Sequence, residues 1–121
     1  MNDILVVDDE ELLRRMIVDH FRDKGYPVRE AEDGVKAIDA CRQEKPGIVL
    51  LDLNLPDMDG LAVLAEVKKL YPDLVVLIFS GLTDEIRAKE AIRLGAYEYL
   101  VKPLSLMELE NNFIRLILGD P

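Results

Sequence analysis

Four short apolar runs in this chain each stop at a polar residue: Ile4-Leu5-Val6-Val7 at Asp8-Asp9, Ile48-Val49-Leu50-Leu51 at Asp52, Leu74 to Phe79 at Ser80, and Tyr99-Leu100-Val101 at Lys102. Runs this short and rich in Val and Ile, separated by stretches of helical spacing, predict strands of a parallel sheet buried on both faces, where continuous apolarity replaces alternation. Read for period, the chain alternates strands near 3–8, 26–30, 47–52, 74–79 and 97–102 with helices near 10–23, 34–44, 60–70, 84–94 and 106–118. Helix punctuation agrees: Gly25 and Gly95 stand where a C′ residue enters the left-handed region, and Asp33, Asp59, Thr83 and Ser105 stand where N-caps belong. Ser105 and Glu108 have the spacing of a capping box. The second strand, Tyr26-Pro27-Val28-Arg29-Glu30, is short, polar and carries Pro27, which suits a sheet edge.

Five βα repeats joined by right-handed crossovers predict a doubly wound α/β (βα)5 sandwich, a five-stranded parallel sheet in order 2-1-3-4-5 with helices on both faces. In such sheets ligands bind beyond the carboxyl ends of the strands, at the point where the strand order reverses. Asp8, Asp9 and Asp52 then come from neighbouring strands, and Ser80 and Lys102 from the next two. Three carboxylates, a hydroxyl and an ammonium converge on one edge.

Three carboxylates in one crevice repel one another unless a cation sits among them. Oxygen donors with no His or Cys nearby favour Mg²⁺, Mn²⁺ or Ca²⁺ over zinc, and Mg²⁺ commonly combines one or two carboxylates with a phosphate oxygen. A calcium loop starting at Asp52 fails, because it would place Pro56 fifth, Asp57 where Gly is required and Val63 twelfth. With a metal screening it, one carboxylate can attack phosphorus and carry the phosphoryl group as an acyl phosphate. Asp52, ending a central strand, is the candidate nucleophile, while the adjacent Asp8 and Asp9 suit metal binding. A lysine and a hydroxyl are suited to the charge on the equatorial oxygens of a transferring phosphoryl group, and Lys102 and Ser80 occupy those places.

Composition narrows the function classes. The chain has 121 residues, half of them hydrophobic, which is enough for one domain with a real core over residues 1–121. A formal net charge of −9 disfavours direct binding to nucleic acid or an anionic membrane and points to protein partners. No apolar run approaches the roughly 20 residues a membrane span needs, so a cytoplasmic location is expected. Cys41 permits no internal disulfide and reads as a small packing residue. His20, beside Ile17 and Phe21 on the apolar stripe of its helix, reads as a packing residue and not a phosphodonor.

The chain resembles the receiver domains of two-component response regulators, of the kind typified by chemotaxis regulators, across essentially its whole length. The residues that carry the resemblance are Asp8-Asp9, Asp52 followed by Asn54-Leu55-Pro56 and Asp59-Gly60, Ser80-Gly81, and Tyr99 three places before Lys102-Pro103. The resemblance implies a flavodoxin-like fold and phosphorylation of Asp52 by the phosphohistidine of a sensor histidine kinase or phosphotransfer protein. It implies Mg²⁺, with Mn²⁺ as a substitute, held by Asp9, Asp52 and the backbone carbonyl of Asn54, with Asp8 acting mainly through water. Lys102, Ser80 and Gly81 would meet the phosphoryl oxygens, the Lys102–Pro103 bond would be cis, and Pro56, Gly60 and Pro103 would be structural. Ser80 and Tyr99 would form the switch, and helix 84–94, strand 97–102 and helix 106–118 the output face toward a downstream domain or partner, with transcription one such output. Such a domain is not an enzyme in the ordinary sense, though it catalyses its own phosphorylation and dephosphorylation. Ser80 stands where Thr is commoner and Gly81 where Ala is common, and Asn54 and Leu82 occupy positions that tune the lifetime of the acyl phosphate.

The last helix is more apolar than one face requires. Leu106, Leu109, Phe113, Leu116 and Ile117 form a predicted core stripe, which leaves Met107, Ile114 and Leu118 as a candidate surface for homodimerisation or docking. Two other functions are compatible with parts of the pattern: a degenerate receiver that only binds proteins, and a Mg²⁺ phosphatase working through an aspartyl phosphate. The first would lack a site residue and the second would need a cap or substrate pocket, and neither is read in the chain. A stand-alone regulator and the N-terminal piece of a longer protein are equally consistent with these residues.

Overall fold

A computed structural model describes residues 2–81 and 85–121. The strands are β1 (Ile4–Val7), β2 (Val28–Ala31), β3 (Ile48–Asp52), β4 (Val76–Ser80) and β5 (Glu98–Val101). They form one parallel sheet in order β2-β1-β3-β4-β5, as the pattern predicts. The helices are α1 (Glu11–Asp23), α2 (Gly34–Gln43), α3 (Gly60–Leu70) and α4 (Glu85–Arg93), followed by a C-terminal helix built from α5 (Leu106–Leu109), a π-wound turn (Glu110–Ile114) and α6 (Arg115–Leu118). Two apolar layers sandwich the sheet. One packs Leu5, Val49 and Ile78 against α2, α3 and Ala91 of α4, and the other packs Ile4, Leu50 and Phe79 against α1 and the C-terminal helix. No described helix is long and apolar enough to cross a membrane.

Local chemistry explains where the elements begin and end. Gly25, at φ 94°, lets its own N–H reach Arg22 and the Tyr26 N–H reach Phe21, closing α1. β2 therefore starts at Val28, two residues later than predicted: the Tyr26 N–H is spent on α1, and Pro27 has none to give. Asp33, Asp59 and Ser105 cap their helices through side-chain oxygens, accepting from Lys36, Leu61 and Glu108. The predicted cap Thr83, and Leu82 beside it, lie outside the described residues.

The C-terminal helix corrects the predicted faces. Ile114, read as part of an outer stripe, is fully buried, and Leu116, read as core, is 76% exposed. The cause is the π-wound turn over Glu110–Ile114. It inserts one residue into the helical ladder, so the position beneath Leu109 on the inner face is Ile114, five residues on, and everything after it is rotated. Met107 stays exposed and Leu118 half-buried, so the outer stripe loses its middle member.

Candidate phosphoryl and metal site

Strand register assembles the site. Val7 pairs with Leu51, Asp52 with Phe79, and Ser80 with Val101, so the residues next beyond these strand ends face one another. Oxygen atoms of Asp8, Asp9 and Asp52 lie within 4.8 Å of one another. Asp8 and Asp52 are buried and Asp9 is exposed at the rim. Lys102 Nζ lies 3.2 Å from Asp52 Oδ2 and 3.8 Å from Asp8 Oδ2, above the Phe79 ring at 5.3 Å from its centroid. Its backbone N–H donates to the Ser80 carbonyl at 2.8 Å, which fixes the root of the side chain beside β4. The Lys102–Pro103 bond is cis. Ser80 is buried and Gly81 exposed.

Each carboxylate is oriented by the backbone that follows it. The Glu10 N–H donates to Asp8 Oδ1 at 2.9 Å and the Asn54 N–H to Asp52 Oδ1 at 3.1 Å, so both Oδ2 atoms are turned toward Lys102. Asp8 Oδ2 is buried with no hydrogen-bond donor among the described residues. Burial, reinforced by the neighbouring Asp52 charge, pushes the Asp8 carboxyl up to about 6, against the opposing pull of the Glu10 N–H. Among the described residues a single lysine thus faces two inward-turned carboxylate oxygens, one of them without a hydrogen-bond donor. That deficit of positive charge, with an all-oxygen donor set, fits a hard divalent cation.

Gly60 belongs to the site for a steric reason. A Cβ there would lie 2.5 Å from Leu53 Cα and 2.8 Å from the Asp52 carbonyl oxygen, so only glycine lets the start of α3 pass this close behind the β3 end. Gly81 is different: among the described residues outside its chain neighbours, its nearest obstacle would be Lys102 Cδ at 4.0 Å. Pro56 is exposed in the loop between β3 and α3. Tyr99 is half-buried against the layer that includes α4.

Three supporting residues escape the motif-based reading. Arg14 is buried, donating from Nη1 to the Asp8 carbonyl at 2.7 Å and from Nε to Glu30 at 2.9 Å, and so pins the end of β1. Its signal is a charge in the apolar stripe that continues through Ile17, Val18 and Phe21. Asp57 accepts from the Gly34 and Val35 N–H groups at 2.9 and 3.0 Å, which holds its carboxyl below the usual range and ties the β3–α3 loop to the start of α2. Arg87 of α4 reaches the same loop, donating to Asn54 Oδ1 at 3.2 Å and Asp59 Oδ1 at 2.8 Å. It lies four residues before Ala91, the buried residue of its helix.

Comparison with known proteins agrees with this arrangement. The family profile described as the response regulator receiver domain matches residues 4–113. The chain is 38% identical to the probable transcriptional regulator ycf27 of Porphyridium aerugineum over 88% of its own length but only 44% of that protein's. It is 34% identical to the chemotaxis protein CheY of Thermotoga maritima over 83% of its length and 84% of that protein's. Among solved structures, the receiver domain of NtrX from Brucella abortus superposes with a TM-score of 0.87 at 38% identity, covering 95% of this chain and 98% of that one. With its strand order, its acidic cluster and a family match over nearly all its length, the chain belongs to the receiver domains of two-component response regulators.

Proposed function

We propose that this receiver accepts a phosphoryl group on Asp52 from the phosphohistidine of a sensor histidine kinase or phosphotransfer protein, and that the modified form acts on a downstream domain or partner. The observation that carries the reading is the Asp52 carboxylate, almost fully buried, with Oδ1 held by a backbone N–H and Oδ2 facing Lys102 at 3.2 Å. A carboxylate so held approaches phosphorus in one orientation, which removes part of the entropic barrier. In the transfer, the new bond joins an Asp52 oxygen to phosphorus as the phosphorus–nitrogen bond of the donor breaks, and the imidazole leaves with the electron pair and takes a proton. In this reading Lys102 Nζ would balance charge on the equatorial oxygens, with the Ser80 hydroxyl and the Gly81 N–H as further donors. Asp8, Asp9, Asp52 and the Asn54 carbonyl would hold Mg²⁺, or Mn²⁺ in its place, which supplies the positive charge that Lys102 alone lacks for two carboxylates and a phosphoryl group.

The output in this reading is a population shift. A phosphoryl group drawing the Ser80 hydroxyl toward it favours an inward Tyr99 and alters the face made by α4, β5 and the C-terminal helix. Exposed Ile86, Ile92, Tyr97, Val101 and Met107 give that face apolar area, and a groove of about 320 Å³ runs between β5 and the C-terminal helix. Partner docking or phosphorylation-dependent dimerisation would use this face. Sedimentation of the protein with and without a beryllofluoride mimic at Asp52 tests the dimer, and an unchanged monomer in both rejects it.

Intact-mass analysis after incubation with acetyl phosphate and Mg²⁺ tests the central reading. The wild type gains one phosphoryl group and Asp52→Asn gains none. Equal labelling of the two, or none of the wild type, rejects it.

A further inference from the structure

The loop between β3 and α3 leaves the acceptor strand and returns on itself, so that Asn54 and Asp59 meet in an isolated antiparallel bridge. One side chain from another element spans that junction. Arg87 of α4 donates Nη1 to Asn54 Oδ1 at 3.2 Å and Nη2 to Asp59 Oδ1 at 2.8 Å, with only about a quarter of its side chain exposed. Both residues it grips also serve the site: the Asn54 N–H orients Asp52 Oδ1, and Asp59 Oδ1 caps α3 through the Leu61 N–H. A fork of two donors fixes the separation and the direction of its acceptors, which a point charge cannot do.

We propose that Arg87 is a positioning residue for phosphoryl acceptance: by clamping Asn54 and Asp59 to α4 it holds the Asn54 N–H on Asp52, and so couples the place of α4 to the reactivity of the acceptor. This rests on Asp52 being the phosphoryl acceptor. Without the clamp the Asn54 side chain is released, the backbone N–H it anchors loses its fixed direction, and Asp52 samples orientations that do not face phosphorus. The coupling runs both ways: whatever moves α4 changes the acceptor, and whatever occupies the acceptor pulls on α4.

The clamp is tested by following acetyl phosphate labelling in Mg²⁺ for the wild type, Arg87→Ala, Arg87→Lys, Asn54→Ala and the double variant Arg87→Ala with Asn54→Ala. Arg87→Ala should slow labelling about fivefold, a size typical of coupling within one hydrogen-bond network, and the double variant should be no slower than the slower single variant. Arg87→Lys, which keeps the charge and one donor, should fall between Ala and the wild type. Hydrogen exchange of the Asn54 amide should quicken in Arg87→Ala while thermal unfolding stays close to wild type. Wild-type labelling rates in Arg87→Ala, additive effects in the double variant, or slow labelling with an unchanged Asn54 amide would each overturn the clamp. Absence of labelling in the wild type would overturn the acceptor reading and the clamp with it.

Discussion

The two halves of the site are built to different standards of rigidity. The carboxylates follow β1 (Asp8 and Asp9) or end β3 (Asp52), interior strands paired on both sides with every strand residue buried. Tyr99 belongs to β5 and Lys102 follows it directly, β5 being an edge strand whose two end residues are exposed and whose two inner ones are half-buried. The difference follows from charge. Carboxylates that repel one another stay together only if the surrounding packing leaves them no way to relax, and the double layer of apolar side chains around β1 and β3 supplies that constraint. The counter-charge needs no such confinement, because Lys102 is attracted to its place. An edge strand can therefore carry it, and an edge strand is also where a modest interaction energy can change a packing arrangement.

The largest expected effect separates the halves by stability. Leu51→Ala, in β3, should cost about 3–4 kcal/mol, transfer and cavity terms together, because Leu51 is fully buried between two strands. Leu100→Ala, in β5, should cost about 1 kcal/mol, since its side chain is only partly removed from water. Urea unfolding at equal slope measures both. Equal losses would dissolve the contrast between a fixed interior half and a slack edge half.

The next effect has the opposite sign. Asp8 is charged at neutral pH although burial raises its carboxyl to about 6, so ionisation works against the fold there. A raised carboxyl means the folded state binds the proton more tightly than the unfolded chain, and the unfavourable contribution grows as pH rises through the interval from about 4 to about 6. Asp8→Asn should accordingly raise stability by about 1–2 kcal/mol at pH 7 without divalent ions. It should also shrink the further stabilisation that Mg²⁺ confers on the wild type. Urea melts with chelator and then with Mg²⁺ read both numbers, and a destabilised Asp8→Asn would mean the acidic half is not held under repulsion.

Those repelling residues were the part of the molecule most legible in the sequence. Strand order, the convergence of Asp8, Asp9, Asp52, Ser80 and Lys102, and three of the four predicted caps follow from periodicity and punctuation, because each depends on residues close in sequence or on a topological rule. What escaped depends on geometry between distant segments. Asp57 capping α2 and Arg87 clamping Asn54 join residues 23 and 33 positions apart, and no local pattern encodes the partner. Arg14, also missed, is an intermediate case, since its spacing from Ile17, Val18 and Phe21 is present in the sequence but its carbonyl partner is not. The reversal of Ile114 and Leu116 arose because a period of 3.6 was extended through a turn wound at i to i+5.

Asp57 sharpens the comparison from outside the crevice. Its carboxylate braces the loop after β3 by accepting two α2 N–H groups, and these lower its pKa in the folded protein. A depressed carboxyl contributes stability that is complete above its unfolded value near 4 and is lost as pH falls through the lower, folded value. Stability curves of wild type and Asp57→Asn should therefore run a constant gap apart above about pH 4 and converge as pH falls below it. A gap that persists unchanged into acid would mean that Asp57 acts by packing and not through its charge.

Gly81→Ala is expected to do least. Gly81 lies just beyond β4, and among the described residues outside its chain neighbours the nearest heavy atom to an added Cβ would be Cδ of the movable Lys102 side chain, at 4.0 Å. Stability should stay within about 0.5 kcal/mol of wild type, as for surface changes that touch no special feature. The labelling rate with acetyl phosphate should also change little, because an ordinary van der Waals contact with a flexible side chain can be absorbed by a small rotation. This is the reverse of Gly60, where the obstacle would be the backbone of Leu53 and Asp52 at 2.5–2.8 Å and nothing can yield. If Gly81→Ala lowered stability or labelling by as much as a change in β3, Lys102 would have to be as confined as the carboxylates it faces, and adjustability would have to reside in Tyr99 and α4 alone.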